Sequence, residues 1–316
     1  MEQSTFASIA YENKRKQTRR EFFLIEMNKA VPWKRLVSKI EPYYPKAGNG
    51  RPLMPLEQML RIYFMQQWYS LSDPGKEEAL YDIESMRRFA GIELVEEPVP
   101  DETTILNFRR LLKQHNLTSA LFEEVNAVLS EEGLLLQGGS IVDATIVSSS
   151  SSTKNRQKKR ESQMSSTKKG NCWYFGMKIH AGMDAITGLS HKVEVTTAKE
   201  HDITILPELV RKEDRMVFGD KGYFSDKLKR EARQAGVYWG VLDKCKRGSV
   251  LSISQRKKNR KHSSVRAKIE YIFHIIKYQF GYIKTRYQGL EKNRAQVYCL
   301  MALANIYQAR HQLAKT

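Results

Sequence analysis

The chain has 316 residues, 41% of them hydrophobic, with 53 Lys and Arg against 35 Asp and Glu and a formal net charge of +18. That size and composition suit one large domain or two ordinary ones with a real core. No apolar stretch approaches the ~18 residues of a membrane-spanning helix, and the opening "MEQSTFASIAYENKRKQTRR" lacks the apolar segment of a secretory leader, so the expected setting is the cytosol.

Taken in chain order, residues 1–50 are rich in basic and aromatic side chains and run into "EPYYPKAGNGRPLMP", a stretch punctuated by Pro and Gly that predicts a loop. In "LEQMLRIYFMQQWYSL", Leu56, Met59, Leu60, Tyr63, Phe64 and Trp68 recur at helical spacing. "KEEALYDIESMRRFAG" predicts a helix stopped by Gly91. "PDETTILNFRRLLKQHN" predicts another, with Asp101 placed to accept from exposed backbone N–H groups. "TSALFEEVNAVLSEEG" is the next, ending at Gly133. The first 135 residues are therefore expected to be helical.

The character changes at Gly138–Gly139. "GSIVDATIV" is a short run rich in β-branched residues. The polar, basic stretch that follows, 148–170, predicts a mobile loop. "WYFGMKIHAGMD" and "LSHKVEVTTA" predict two strands joined at "AITG", "DITILPELV" a helix capped by Asp202, and "RMVFGD" a strand. A helix over "SDKLKREARQAG" and a strand over "VYWGVL" come next. A basic loop, 244–262, is expected to lead into the long helix "SSVRAKIEYIFHIIKYQFG", and "KNRAQVYCLMALANIYQARHQLA" closes the chain as a last helix. Early strands, alternating elements and terminal helices predict a mixed α/β domain over 136–316 behind an all-α region, 1–135.

Charge divides along the same line. Residues 71–140 hold 14 acidic and 6 basic side chains. Residues 154–169 hold seven Lys or Arg against Glu161 alone, and residues 244–277 hold eleven against Glu270 alone. Such runs favour a polyanionic partner, nucleic acid before anionic membrane, since they lack an amphipathic apolar face. Cys172, Cys245 and Cys299 match neither a zinc spacing nor a disulfide framework and are expected as reduced thiols.

Three acids stand out. Asp143 lies inside "IVDATIV", Asp220 ends the apolar run "RMVFG", and Glu270 sits among Ile269, Ile272, Phe273 and Ile276 with Arg266 four residues before it and Lys277 seven after. Singly, each is read as a turn ligand or an ion-pair partner before a functional acid. Together, carboxylates on strand ends and a facing helix can meet at the carboxyl edge of a sheet, where hard oxygen ligands suit Mg²⁺. Gly222 is expected to allow a tight exit from Asp220, and Lys221 to face either a phosphate or solvent.

Several of these motifs resemble one family. "DATIV…SSTKN", "TKKGNCWYFGMKIHAGMDAITGL", "DKGY", "RAKIEYIFHIIKYQFGYIKTRYQGLEKN" and "ALANIYQAR" resemble the catalytic region of DDE transposases of bacterial insertion sequences, in the group called the IS-five family. "LEQMLRIYFMQQWYSLSD", "EEALYDIESMRRFAG" and "VPDETTILNFRRLL" resemble its N-terminal region, so the resemblance covers most of the chain. It implies an RNase H-like catalytic domain and a triad of Asp143, Asp220 and Glu270 holding Mg²⁺, with Mn²⁺ able to substitute and two ions expected. Related transposases carry a Tyr-Arg-Glu-Lys pattern around the Glu. Arg266, Glu270 and Lys277 keep the spacing, while the Tyr position is Ser263.

The implied activity is binding of terminal inverted repeats, metal-dependent phosphodiester hydrolysis and strand transfer, by a homodimer or larger homo-oligomer on double-stranded DNA in the bacterial cytoplasm and nucleoid. Candidate DNA contacts are Arg266, Lys277 and Lys221; Lys257, Lys258 and Arg260; Arg286 with Lys292; and, in a helix expected to read element ends, Arg109, Arg110 and Lys113. The alternatives are a catalytically silent DNA-binding repressor and an RNase H-like nuclease. Of other candidates, His180 is read as a core or edge histidine, His201–Asp202 as a helix cap, and Trp239 as a buried ring in preference to a platform for an extruded base.

Overall fold

The computed structural model describes residues 14–46, 53–94, 98–136, 138–154, 158–245 and 248–315. The extreme N-terminus, the centre of the loop expected around "GNGRP" and parts of the two expected basic loops lie outside the described residues. Among the described residues, seven α-helices come first: α1 (Arg19–Ala30), α2 (Trp33–Ile40), α3 (Leu56–Trp68), α4 (Asp73–Asp82), α5 (Glu84–Ala90), α6 (Glu102–Gln114) and α7 (Leu117–Glu131). Their ends follow local chemistry. The Thr18 side chain accepts from Glu21 N–H and the Glu21 side chain reaches back to Thr18 N–H, a reciprocal cap on α1. Asp101 accepts from Thr104 N–H at 2.6 Å at the start of α6, as expected. The single helix expected over 76–91 is two, because Ile83 leaves helical geometry at φ −112° and ψ 99°.

One side chain in this region is out of keeping with its surroundings. Lys76 on α4 is 0% exposed, and its Nζ lies 3.9 Å from Met86 Sδ. Burial, helped by the charge of Arg20, pulls its pKa down to about 7 from 10.5. The unfolded chain therefore binds more protons than the folded one between those values, so stability rises with pH across that window and levels off below it. Lys76→Met is expected to raise stability at pH 7 by up to about 4 kcal/mol and to flatten that slope, as read from denaturant melts between pH 6 and 10.

The second half builds a six-stranded mixed sheet from β1 (Ser140–Ser148), β2 (Ser165–Lys169), β3 (Cys172–Asp184), β4 (Ser190–Thr197), β5 (Met216–Gly219) and β6 (Tyr238–Val241). β1 is central. It runs antiparallel to β3 from Ser140↔Asp184 to Ser148↔Gly176 and parallel to β5 over Ser140↔Val217 to Val142↔Gly219. β6 extends the sheet parallel to β5, and β2 and β4 both pair antiparallel with β3. This is the mixed sheet with flanking helices that an RNase H-like fold requires. Helices α8 (Asp202–Leu209) and α9 (Asp226–Gln234) cover one face, where Val142 packs with Leu206, Leu209, Tyr223 and Leu228. α10 (Ile253–His274) covers the other, where Ile141, Ile179 and Ala181 share a core with Ile269 and Ile272.

Two expected loops are corrected. Residues 165–169 of the basic stretch 148–170 form β2, which turns into β3 at Gly170 (φ 61°) and is held by main-chain pairing, with little of it buried. The basic loop 244–262 ends early, because α10 begins at Ile253. Ser252 and Gln255 cap it reciprocally, Gln255 N–H donating to Ser252 Oγ at 3.2 Å and Ser252 N–H to Gln255 Oε1 at 2.9 Å.

The last helix, α11 (Leu290–Leu313), joins both halves. Buried Asn305 donates to Asn126 Oδ1 on α7 and to the Ser190 carbonyl on β4, and accepts from Ser190 N–H. Gln296 donates to Gln67 of α3 at 2.9 Å. One hydrophobic core thus runs from Leu24 to Ala309 across the helical region and the sheet.

Candidate active site

Val142 and Gly219 are the last paired residues of the parallel strands β1 and β5, so Asp143 and Asp220 are the first residues beyond that pairing. The strands part there and open a crevice at their carboxyl ends, where open α/β sheets place their ligands. Across it runs α10, carrying Glu270. Asp143, Asp220 and Glu270 line one cavity of about 590 Å³. Residues far apart in the chain, expected to converge, are brought together.

Each acid is held differently. Asp143, with its side chain 17% exposed, accepts its neighbour's N–H (Ala144, 2.8 Å) and faces Arg266 Nε at 3.4 Å. Burial pushes its pKa up to about 6 against the pull of Arg266, and the negative charges of Asp220 and Asp202 add to the rise. Asp220 caps the short 3₁₀ turn Lys221–Tyr223 and accepts Gly222 N–H at 2.6 Å. Glu270 is 70% exposed and lies 3.6 Å from Arg266, its ion partner one helical turn away. Arg266 therefore stands between Asp143 and Glu270, bridging the two. In this arrangement no three Asp, Glu, His or Cys side chains among the described residues are grouped tightly enough to hold one ion together.

Gly222 has a different role from the one expected. Its φ is not positive. Its value is space: a Cβ there would lie 2.8 Å from Asp220 Oδ1 and 3.5 Å from Asp202 Oδ2.

The cavity also contains Lys168, Lys169, Lys178 and Tyr278, which are not among the expected site residues, and it gives Asp202 a second role. His201 is the N-cap of α8, and Asp202 is its first residue, correcting the expected cap. The Asp202 carboxylate instead accepts from Lys178 Nζ at 2.9 Å, with His180 Nδ1 3.8 Å away. Lys178 also donates to the Glu200 carbonyl at 2.6 Å. His180 itself is buried as expected, on Thr196 Oγ1 at 2.8 Å. Lys168 and Lys169 reach the cavity from β2, and Tyr278 and Lys277 from the far side. Lys277 lies in a π-helical turn, Ile275–Gln279, that ends the long helix, and donates to the Ile146 carbonyl at 2.8 Å. Burial and the charge of Lys169 lower its pKa. Alternation of the strand residues would have flagged Lys178; nothing local distinguishes Asp202 from a cap.

The remaining candidate contacts divide. Lys221 is exposed beside Asp220, and Lys257, Lys258 and Arg260 lie on the first turns of α10 instead of a loop. Ser263, at the position of the missing Tyr, is exposed. Arg109 pairs with Asp73 at 2.6 Å and stacks over Tyr287 at 4.0 Å. Arg286 donates to the Ser70 and Leu71 carbonyls and to Ser70 Oγ. Arg110 and Lys113 are exposed on α6. Trp239 is 9% exposed inside the sheet core, which fits the buried reading. No described helix is long and apolar enough to cross a membrane.

A family described as "Transposase DDE domain" matches residues 135–306, and a family described as "Transposase domain (DUF772)" matches residues 11–111. Among solved structures, the chain is similar to a piggyBac transposase in a synaptic complex with hairpin DNA, at 10% identity and a TM-score of 0.46, over 91% of this chain and 72% of that one. The first family spans more than half of the chain and contains Asp143, Asp220 and Glu270: the chain belongs to the DDE transposases typical of bacterial insertion sequences.

Proposed function

We propose that this protein binds the terminal inverted repeats of an insertion sequence, hydrolyses a phosphodiester at each end and joins the freed strand to target DNA, as a homo-oligomer on DNA in the bacterial cytoplasm. The observation that carries this reading is the shared cavity of Asp143, Asp220 and Glu270 at the parting of β1 and β5, flanked by Arg266 and Lys277.

The donor set fits hard divalent cations. It is made of carboxylates, and burial together with Asp220 and Asp202 already disfavours the charge on Asp143. Asp143, Asp220 and Glu270 would hold the ions, Mg²⁺ or Mn²⁺ and two in number, which when bound supply charge stabilisation to an in-line displacement at phosphorus. The chain's own groups do the rest. The Gly222 N–H fixes the Asp220 carboxylate, and Ala144 N–H fixes that of Asp143. Exposed Glu270, tied only at 3.6 Å to Arg266, is free to turn inward. Arg266, relieved of its carboxylates, becomes available to the scissile phosphate, and Lys168, Lys169 and Lys277 line the approach of the strand. Water attacks phosphorus first and the strand's 3′-oxygen leaves as a free hydroxyl; that hydroxyl then attacks a target phosphodiester, whose own 3′-oxygen leaves, so no side chain forms a covalent bond to DNA.

The test is cleavage of DNA carrying the element's ends in Mg²⁺ or Mn²⁺. Asp220→Asn is expected to lower the rate by ~10³-fold or more, the equivalent of several kcal/mol of lost transition-state stabilisation. Equal cleavage by Asp220→Asn would sink the assignment. Binding without nicking in any divalent ion would leave a repressor, and cutting without joined products a nuclease.

A further inference from the structure

A second cavity lies away from the acids, between α6 and the segment 286–296 that leads into α11, with a volume of about 280 Å³. Its floor is built from Leu106, Ala295 and the ring of Tyr63, a residue that is almost wholly buried. Two guanidiniums shape its wall and are already engaged: Arg109 on Asp73 and Tyr287, Arg286 on the Ser70–Leu71 carbonyls. Three further cations at the cavity, Arg110, Lys113 and Lys292, are exposed and have no partner among the described residues. No carboxylate lines it among the described residues. Gln296, 3% exposed, also lines it. Its Nε2 donates to Gln67 Oε1 at 2.9 Å, and the remaining polar atoms of this amide pair, Gln296 Oε1 and Gln67 Nε2, are sealed in the interior, out of reach of the cavity.

An apolar floor and a cationic rim describe a ligand with a flat apolar body and a negative charge. A nucleotide has both. The cavity falls near the ~300 Å³ lower bound of small-ligand sites, so it admits one nucleotide and no duplex. A neighbouring cavity of about 610 Å³ shares Arg286, Tyr287 and Gln288 with it and adds Lys154, Lys159 and Arg160 against the single carboxylate of Glu161 among its described lining residues. The cationic lining thus continues from one cavity into the next, as a strand requires and a free mononucleotide does not.

We infer that this cavity takes one unpaired nucleotide of a DNA strand, the base against Leu106 and Ala295 and the phosphate on Arg110, Lys113 and Lys292. The inference rests on the proposed action on DNA and adds to it a site for a single-stranded segment, remote from the acids. Aromatic and apolar groups can hold an unstacked base without a groove to read.

The full chain is titrated with fluorescent dT12, with an abasic 12-mer and with dTMP, followed by anisotropy at several salt concentrations. Wild type is expected to bind dT12 more tightly than the abasic strand. Arg110→Ala/Lys292→Ala, two exposed changes that leave the core intact, is expected to weaken dT12 binding at least tenfold and to reduce the salt slope by ~1.4, two contacts at about 0.7 each. Three results overturn the site: unchanged dT12 affinity in the double variant, equal affinity of wild type for the abasic strand, or displacement of dT12 by an equal concentration of dTMP. Failure of this site and failure of the proposed function are separable. A protein that binds dT12 in this way but never cuts duplex DNA retains the cavity assignment and loses the transposition one; a protein that cuts with dT12 affinity unmoved by the double variant does the reverse.

Discussion

Asp143→Asn is expected to abolish DNA cleavage and at the same time to raise the melting temperature of the free protein. The loss of cleavage follows from the position of Asp143, at the parting of β1 and β5 in the acid cavity. The gain in stability follows from its ionisation. Its carboxyl is held up at about 6, against an ordinary 3.8, chiefly because burial disfavours the charged form. Between those two values the folded chain binds the proton more tightly than the unfolded chain. Stability therefore falls as pH rises through that window, and above about 6 the whole penalty is present. An amide removes the charge and keeps the shape. Residual exposure and the Arg266 pair reduce the gain, which is expected to be about 1–3 kcal/mol at pH 7, or ~2–4 °C for a chain of this size. Scanning calorimetry with and without Mn²⁺ provides the check. The cation should stabilise wild type, by about 2.7 kcal/mol at a hundredfold excess over its dissociation constant, and should have much less effect on Asp143→Asn. Retained cleavage, or a melting temperature several degrees lower, would contradict this account. A site that is costly when free and stabilised when loaded is the trade expected of a functional carboxylate cluster.

The convergence of Asp143, Asp220 and Glu270 on one cavity was legible because their local contexts are distinctive: a β-branched run interrupted by Asp143, an apolar run ended by Asp220, and Glu270 flanked by Arg266 and Lys277 on one helix. Asp202 was not, and the reason is physical. An acid at the start of a helix is favoured there whatever else it touches, so the local pattern already accounts for it; its pairing with Lys178 depends on β3 and α8 meeting in space. The start of α10 was hidden for a related reason. Residues 253–262 have no apolar stripe to betray a helix, and the Ser252–Gln255 capping box was the one local sign of it. β2 has neither alternation nor apolar content, and its strand form comes from the hydrogen-bonding edge offered by β3. Chain order and main-chain periodicity thus set the sheet and its acids, whereas the cationic lining of both cavities depends on long-range packing. Arg286 is the sharpest case: its sequence context suggests a free loop cation, and the fold directs it into the backbone between α3 and α4.

Gly222→Ala is expected to lower cleavage ~10–100-fold while leaving the fold intact. The added methyl would lie 2.8 Å from Asp220 Oδ1, closer than such contacts are tolerated, and 3.5 Å from Asp202 Oδ2, an ordinary contact. What must move is the end of one side chain, which is cheap for the fold. The moving atom, however, is an oxygen of Asp220, one of the proposed metal ligands, and its shift also weakens the 2.6 Å hydrogen bond from Gly222 N–H that aims it. Displacement of a reacting group by about 1 Å can cost on the order of 10²-fold in rate, and the backbone here is not in the left-handed region, so Ala meets no conformational strain. The effect should therefore appear in the single-turnover cleavage rate, with duplex affinity and melting temperature close to wild type. Comparison with Gly236→Ala provides a control of opposite character: Gly236 has φ 71° and open space around its Cβ position, so that substitution should cost stability through the backbone and spare the acids. If Gly222→Ala cleaves at the wild-type rate, the Asp220 oxygen facing Gly222 is not the one the reaction uses, and the carboxylate must act through its other oxygen from a rotated position.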